Sequence, residues 1–217
     1  MGGTPPAGLQ SDITDAKTLR RMTIAVAVCL APLVAHAEEG PAFDCAEAEG
    51  SVEQLICAEP DLAALDRRMA DRFAAAVAVA EGLDTDAEET VRTLRAYQRG
   101  WISGRDECWK ETDVAGCVRR EYLFREAQLV AEFLLEPASN VTEYSCADGS
   151  ALTVTLFETQ LTAMRVEQGD RVGVGGAAGP EAPGTFYLQP MGSFVVGPDG
   201  AELVDPYGDA VACEVSG

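Results

Sequence analysis

Histidine is nearly missing from this chain, and the one present, His36, lies in an Ala35-His36-Ala37 motif that closes an apolar run. Lys17, Arg20 and Arg21 precede that run, residues 22–34. A basic segment, an apolar stretch of signal length and a small-residue site together read as a secretory signal peptide over residues 1–37. Cleavage after Ala37 would remove His36. A mature chain without histidine excludes Ser-His-Asp and Cys-His catalysis and any histidine metal site. Long hydrophobic runs are missing too: residues 22–34 fall short of the roughly 20 apolar residues a spanning helix needs, and no other stretch comes closer. No cysteine pair has Cys-x2-Cys spacing, which argues against a zinc knuckle. Lysine is nearly as scarce as histidine, with Lys110 alone beyond the signal.

Acids, by contrast, are plentiful. Removing Lys17, Arg20, Arg21, Asp12 and Asp15 from 16 bases and 36 acids leaves 13 bases and 34 acids, a net charge of −21. Such a surface repels nucleic acid and anionic lipid and favours a basic protein partner. So many acids make any carboxylate pair uninformative as a glycosidase signal, and we read them as solvated surface. The chain reads as a non-enzyme.

Seven cysteines are present, and Cys29 sits inside the signal. It follows Val28, where a lipid-attachment site wants a small residue, so we read it as part of the apolar run. Six remain: Cys45, Cys57, Cys108, Cys117, Cys146 and Cys213. An even count in an exported chain implies bonded pairs. Four in the first half allow three pairings, which sequence alone does not separate.

Residues 38–136 read as helical. Ser51-Val-Glu-Gln54 and Thr85-Asp-Ala-Glu88 have the capping-box pattern. Leu62, Leu65, Met69, Phe73 and Val77 form one apolar stripe after Pro60. Val91, Leu94, Gln98, Trp101 and Arg105 form a second, and Tyr122, Leu129, Val130 and Phe133 a third. In the second stripe we read Trp101 as core, with Gln98 and Arg105 satisfying buried polar groups. Residues 135–140 read as a linker, with Pro137 ending the last helix.

Residues 141–217 change character. Short β-branched and aromatic runs alternate between Asp148-Gly149, Gly169-Asp170, Gly192 and Asp199-Gly200, as in Leu152, Val154 and Leu156 against Thr153 and Thr155. That pattern predicts an antiparallel barrel of about eight strands. Gly173-Val-Gly175-Gly-Ala-Ala-Gly179 invites a dinucleotide reading, but Pro180 and Pro183 follow instead of a helix, so it reads as a flexible hairpin connection and no cofactor is expected. The expected fold is thus α+β in separate domains: a disulfide-stapled helical domain, then a small barrel closed by Cys146–Cys213.

Two residue frames carry family resemblances. Cys45, Glu53, Ile56, Cys57, Leu62, Leu65, Asp66, Gln98, Trp101, Arg105, Cys108, Cys117 and Tyr122 resemble the cysteine-rich helical domain of LprI-type lysozyme inhibitors. Within that frame we expect Cys57–Cys108 and Cys45–Cys117. Tyr144, Cys146, Asp148, Gly149 and Cys213 resemble the β-barrel of MliC-type inhibitors of c-type lysozyme. The second resemblance implies two neighbouring loops that enter the lysozyme cleft. Here these would be Pro183, Gly184, Thr185, Phe186 and Tyr187 in one, and Val196, Gly197, Pro198 and Asp199 in the other. The family's serine position holds Pro183 and its lysine position holds Gly197. The resemblances imply an exported, periplasmic or secreted lysozyme-inhibitor-like protein. The rival reading is a cell-envelope protein-binding module that has lost inhibition.

If all six cysteines pair, thiol titration of the unfolded, unreduced mature chain finds no free thiol. A single titrating thiol contradicts the pairing.

Overall fold

The structure, a computed structural model, describes Met1, Gly2 and residues 40–216. The signal-peptide reading, its Ala35-His36-Ala37 site and Cys29 lie outside the described residues. Among the described residues no helix is long and apolar enough to cross a membrane.

Four helices come first: α1 (Ser51–Ala58), α2 (Pro60–Glu81), α3 (Ala87–Asp106) and α4 (Val114–Phe133). Pro60 opens α2 at a position where its missing N–H costs nothing. Neither capping box forms where the sequence suggested: the one at α1 is shifted by a residue, and α3 has none. At α1 the Glu53 carboxylate accepts from the Gly50 and Glu49 N–H groups at 3.1 and 3.2 Å, so Gly50, not Ser51, is the cap. At α3 the cap is Asp86, in a left-handed conformation (φ 58°) that a short polar side chain tolerates.

The helices enclose one apolar core, including Ile56, Leu62, Met69, Leu94, Leu129 and Phe133. A polar chain runs through it. The Tyr122 hydroxyl donates to Asp66 Oδ1 at 2.7 Å and accepts from Arg105 Nη1 at 2.8 Å. Arg105 also donates to Asp106 Oδ1 at 2.7 Å, and Asp66 Oδ2 accepts the Ala42 N–H at 2.7 Å. Trp101 meets Tyr122 edge-on with centroids 5.3 Å apart. The chain ties α2, α3, α4 and the N-terminal segment together, with Asp66, Tyr122 and Arg105 answering one another, while Trp101 Nε1 beside them is buried without a hydrogen-bond partner. Burial alone would lower the Arg105 guanidinium, but Tyr122 and Asp106 hold it above its ordinary value.

The disulfide pairs differ from expectation. Cys45 bonds Cys57 and Cys108 bonds Cys117; neither Cys57–Cys108 nor Cys45–Cys117 forms. Cys45 lies in a 3-10 turn folded back on α1, and Cys108 lies in another 3-10 turn just before α4. Each bond therefore fixes one corner of the helical layer rather than crossing it. Closures 12 and 9 residues apart are each worth just under ~3 kcal/mol in the chain-entropy account.

Leu134 ends α4 in a left-handed conformation (φ 53°), and β1 (Ala138–Cys146) starts inside the segment read as a linker. The strands β2 (Ala151–Phe157), β3 (Ala163–Gln168), β4 (Arg171–Ala177), β5 (Thr185–Gln189), β6 (Gly192–Gly197), β7 (Gly200–Val204) and β8 (Ala210–Val215) follow in sequential order. The sheet closes as an eight-stranded antiparallel barrel through β1 and β8. Cys146 pairs with Cys213 across that closure and bonds it, joining residues 67 apart, a loop worth about 4 kcal/mol. Leu152, Val154, Met164, Val166, Leu188 and Phe194 fill the interior.

The glycine-rich segment is a strand, not a flexible connection. Gly173, Gly175 and Gly176 all lie within β4. A Cβ on Gly176 would stand 2.9 Å from the Ala127 Cβ of α4, so glycine is what lets that helix reach the barrel wall. There Ala127, Val130 and Ala131 pack on Phe157 and Ala163, all buried. The helices and the barrel thus lie in one compact unit, Ala37–Gly217.

Tyr122→Phe tests the polar chain. Leaving Asp66 and Arg105 short of a partner should cost about 2 kcal/mol at neutral pH. Burial, with Asp66 adding and Arg105 opposing, raises the Tyr122 hydroxyl above its ordinary value of 10.0. The folded state then holds that proton more tightly, so this stabilisation is complete below about pH 10 and is lost as pH rises further. Denaturant melts from pH 7 to 11 should show a shallower alkaline decline in the variant than in the parent.

Candidate functional site

The two loops singled out from sequence meet at one end of the barrel. The β4–β5 connection carries Pro183 and Gly184, and the β6–β7 turn carries Pro198 and Asp199. Antiparallel pairing sets Thr185 opposite Val195 and Phe186 opposite Phe194. One step beyond the ladder, the Val196 N–H donates to the Gly184 carbonyl at 2.8 Å. Gly184 has φ +80°, and a Cβ there would lie 2.5 Å from the Val196 carbonyl oxygen. Only glycine brings the loops this close. The long connection is further closed by the Ala178 N–H on the Thr185 carbonyl at 2.8 Å and the Thr185 N–H on the Ala182 carbonyl at 3.1 Å.

Period-two alternation decides what this rim displays. Phe186 and Leu188 turn toward the barrel core, while Tyr187 between them points out and is 53% exposed. Val196, Gly197, Pro198 and Asp199 are all exposed. They line a concavity of about 340 Å³ with Tyr144, Gly200 and Val215. Tyr144 forms its floor, set edge-on to Phe194 with centroids 5.3 Å apart. A second concavity of about 330 Å³ shares Gly197, Pro198 and Asp199 and adds Glu202 and Glu214. Neither concavity includes any residue of 183–187. Sequence reasoning missed Tyr144 and Val215 as rim residues, although their pairing follows once Cys146 is set opposite Cys213.

The rim presents carboxylates, backbone carbonyls, the two phenols of Tyr144 and Tyr187, and apolar side chains. The barrel's two arginines serve elsewhere. Arg165 donates to the Ala131 carbonyl at 3.3 Å and pairs with Glu167 at 3.1 Å; Arg171 donates to Gln168 at 3.3 Å. Among the described residues, no group of histidine, cysteine, aspartate and glutamate could hold a metal ion. This chemistry suits protein–protein contact by shape, with long-range attraction for a basic surface.

In the helical layer the shared frame residues serve packing. Gln98 accepts from Arg125 Nε at 3.1 Å, Trp101 packs on Tyr122, and Arg105 is 4% exposed within the polar chain. Trp109 and Tyr97 stand out on this surface at 60% and 68% exposure.

Among known proteins, a family model described as "Lysozyme inhibitor LprI" matches residues 45–148. That segment holds the four helices and the first strand. Curated relatives named "Lipoprotein LprI" from Mycobacterium bovis and Mycobacterium tuberculosis are 28% identical over 136 residues, covering 61% of this chain and 64% of theirs. No solved structure matches the chain.

Gly184→Ala should separate the loops. The added Cβ meets the Val196 carbonyl in a backbone region that disfavours alanine, at a cost of about 1–3 kcal/mol. Amide exchange should quicken at Val196 while the buried β2 and β3 amides keep their protection; unchanged exchange at Val196 would contradict the pairing.

Proposed function

We propose that this chain is an exported, non-catalytic lysozyme-inhibitor-like protein that engages a c-type lysozyme through the barrel rim. The observation that carries the reading is the match of residues 45–148 to the LprI inhibitor family. The rim supports its second half. Two loops aligned by resemblance with the cleft-entering loops of MliC-type inhibitors lie hydrogen-bonded side by side, with Tyr187 and Val196 exposed. Eleven acids against two bases in residues 141–217 would steer a basic enzyme toward this end.

Affinity would rest on Tyr187, Val196, Pro198 and the Tyr144 concavity, with backbone carbonyls supplying polar contacts. Pro183 and Gly197 offer neither hydroxyl nor cation. That observation favours a second reading, in which the rim binds a basic envelope protein without blocking lysozyme. A third possibility follows from the extent of the family match, which includes only β1 of the barrel. Inhibition would then belong to the helical layer, with exposed Trp109 and Tyr97 as its anchors.

Titrating the mature protein against a c-type lysozyme on cell-wall substrate separates these readings. We expect inhibition that weakens about tenfold or more between 50 mM and 500 mM salt, because steering charges are screened. Tyr187→Ala should weaken it by about tenfold, the usual cost of an aromatic anchor. Tight inhibition that persists at high salt would overturn the electrostatic account. Inhibition untouched by Tyr187→Ala but lost on Trp109→Ala would move the surface to the helices. Absence of inhibition at every salt concentration would favour the second reading.

A further inference from the structure

Two consecutive residues of α4 place opposite charges in the interior, and only one of them meets ion-pair partners. The Glu126 side chain, 5% exposed, takes Arg68 at 2.8 Å and Arg72 at 3.3 Å. Arg125, 6% exposed, has only amides: Nε donates to Gln98 Oε1 at 3.1 Å and Nη1 to Gln128 Oε1 at 3.4 Å. Its Nη2 is buried without a hydrogen-bond partner. Among the described residues no carboxylate forms an ion pair with it. A buried guanidinium with neutral partners and an idle edge is costly. Glu132 acts on it through space but forms no ion pair with it.

Arg125 lines a cleft of about 490 Å³ between α3, α4 and the barrel. Leu94, Tyr97, Phe133, Val174 and Pro190 give its walls an apolar character. Its polar side is the Arg125 end, where Gln128 Nε2 also donates to Gln189 Oε1 of β5 at 2.9 Å. Burial lowers the Arg125 guanidinium from its ordinary value, with Glu132 opposing. Glu89 and Glu132 also line the cleft. Glu132 keeps solvent access, and its carboxyl sits above the usual range because the surrounding cleft disfavours its charge, with Arg125 and Arg165 opposing.

We propose that this cleft binds a small carboxylate with an apolar body, the carboxylate docking on the Arg125 guanidinium. The longest contact, Nη1 to Gln128, is the one a ligand displaces. A carboxylate would then take Nη1 and Nη2 together in the fork geometry that suits a guanidinium. The apolar body would lie against Leu94, Phe133 and Val174, with Tyr97 at the mouth. The ligand would touch helix and barrel at once, through Gln128 and Gln189. This site is separate from the rim, and the inference does not rest on the lysozyme reading.

The test uses the mature protein and N-acetyl-L-leucine, with N-acetyl-L-leucinamide as the neutral control. NMR titration should show saturable shifts of the Arg125 Nε–H and the side-chain amides of Gln98, Gln128 and Gln189. The neutral amide should bind about tenfold more weakly or worse, since it lacks the charge-assisted pair. Arg125→Met should abolish the response. Thr93→Trp, an exposed change at the cleft wall that keeps Arg125, should weaken it about tenfold by filling the mouth. Equal binding of acid and amide, or no saturation up to the order of 10 mM acid, would overturn the proposal. So would retained binding in a folded Arg125→Met. If that variant does not fold, unchanged affinity in Thr93→Trp overturns it instead.

Discussion

Helix α4 is buried on two sides, and both halves of the molecule depend on that. Its Val118, Tyr122, Leu129 and Phe133 belong to the helical core, whereas Ala127, Val130 and Ala131 belong to the seam with the barrel. A helix covered this way has no room for large side chains on its second face. The three small or β-branched residues there meet a strand stripped to glycine, and the backbones close in. At about 25 cal/mol per Å² of apolar area the small side chains contribute modestly one by one, so the seam works by fit rather than bulk. A bulky residue at Gly176 would push α4 off the wall and disturb both cores.

The same burial explains the polar economy of α4. Glu126 lies where α2 can bring two arginines, and Arg68 extends the link by donating to Gln160 of the β2–β3 connection at 2.9 Å. Arg125 points toward the other flank, where its hydrogen-bond partners are the amides of Gln98 on α3 and Gln128 on its own helix. Neighbouring residues on one helix point about 100° apart, so consecutive charges enter different environments. One charge is absorbed into an ion-pair network that fastens helix to barrel. The other is held in place by amides and left with donor capacity.

Much of this was legible in the sequence, and what was not has physical causes. The α2 and α3 stripes depend on three- and four-residue spacing, and Leu62, Met69, Val91 and Leu94 are buried as that spacing required. The strands follow period-two alternation between turns, and Cys146 faces Cys213 because terminal strands must meet when a barrel closes. The other pairings were not legible: closing two short loops or two long ones both satisfies a count of four cysteines. Only the 3-10 turns, which leave little periodic signal, bring Cys45 to α1 and Cys108 to α4. The glycines of β4 misled because loop and close approach call for the same residue. The seam itself was hidden, since a helix buried nearly all round shows no single apolar stripe. Arg125 was hidden with it.

The two candidate surfaces differ in what holds them. The rim loops are fixed by hydrogen bonds between backbone groups, Val196 to Gly184 and Ala178 to Thr185, so with Gly184 kept their geometry tolerates wide change in side chain. Side chains as different as those of Pro183 and Gly197 can therefore be exchanged on these loops without moving the main chain. The Arg125 cleft is the reverse case. Its geometry is made of side chains from α3, α4 and β5, and Gln98, Gln128 and Gln189 orient one another through the guanidinium and its neighbours. A scaffold of the first kind preserves shape while recognition drifts, because shape lives in the main chain. A site of the second kind loses its form when one side chain changes, so the amide set around Arg125 is the sharper sequence signature of the two.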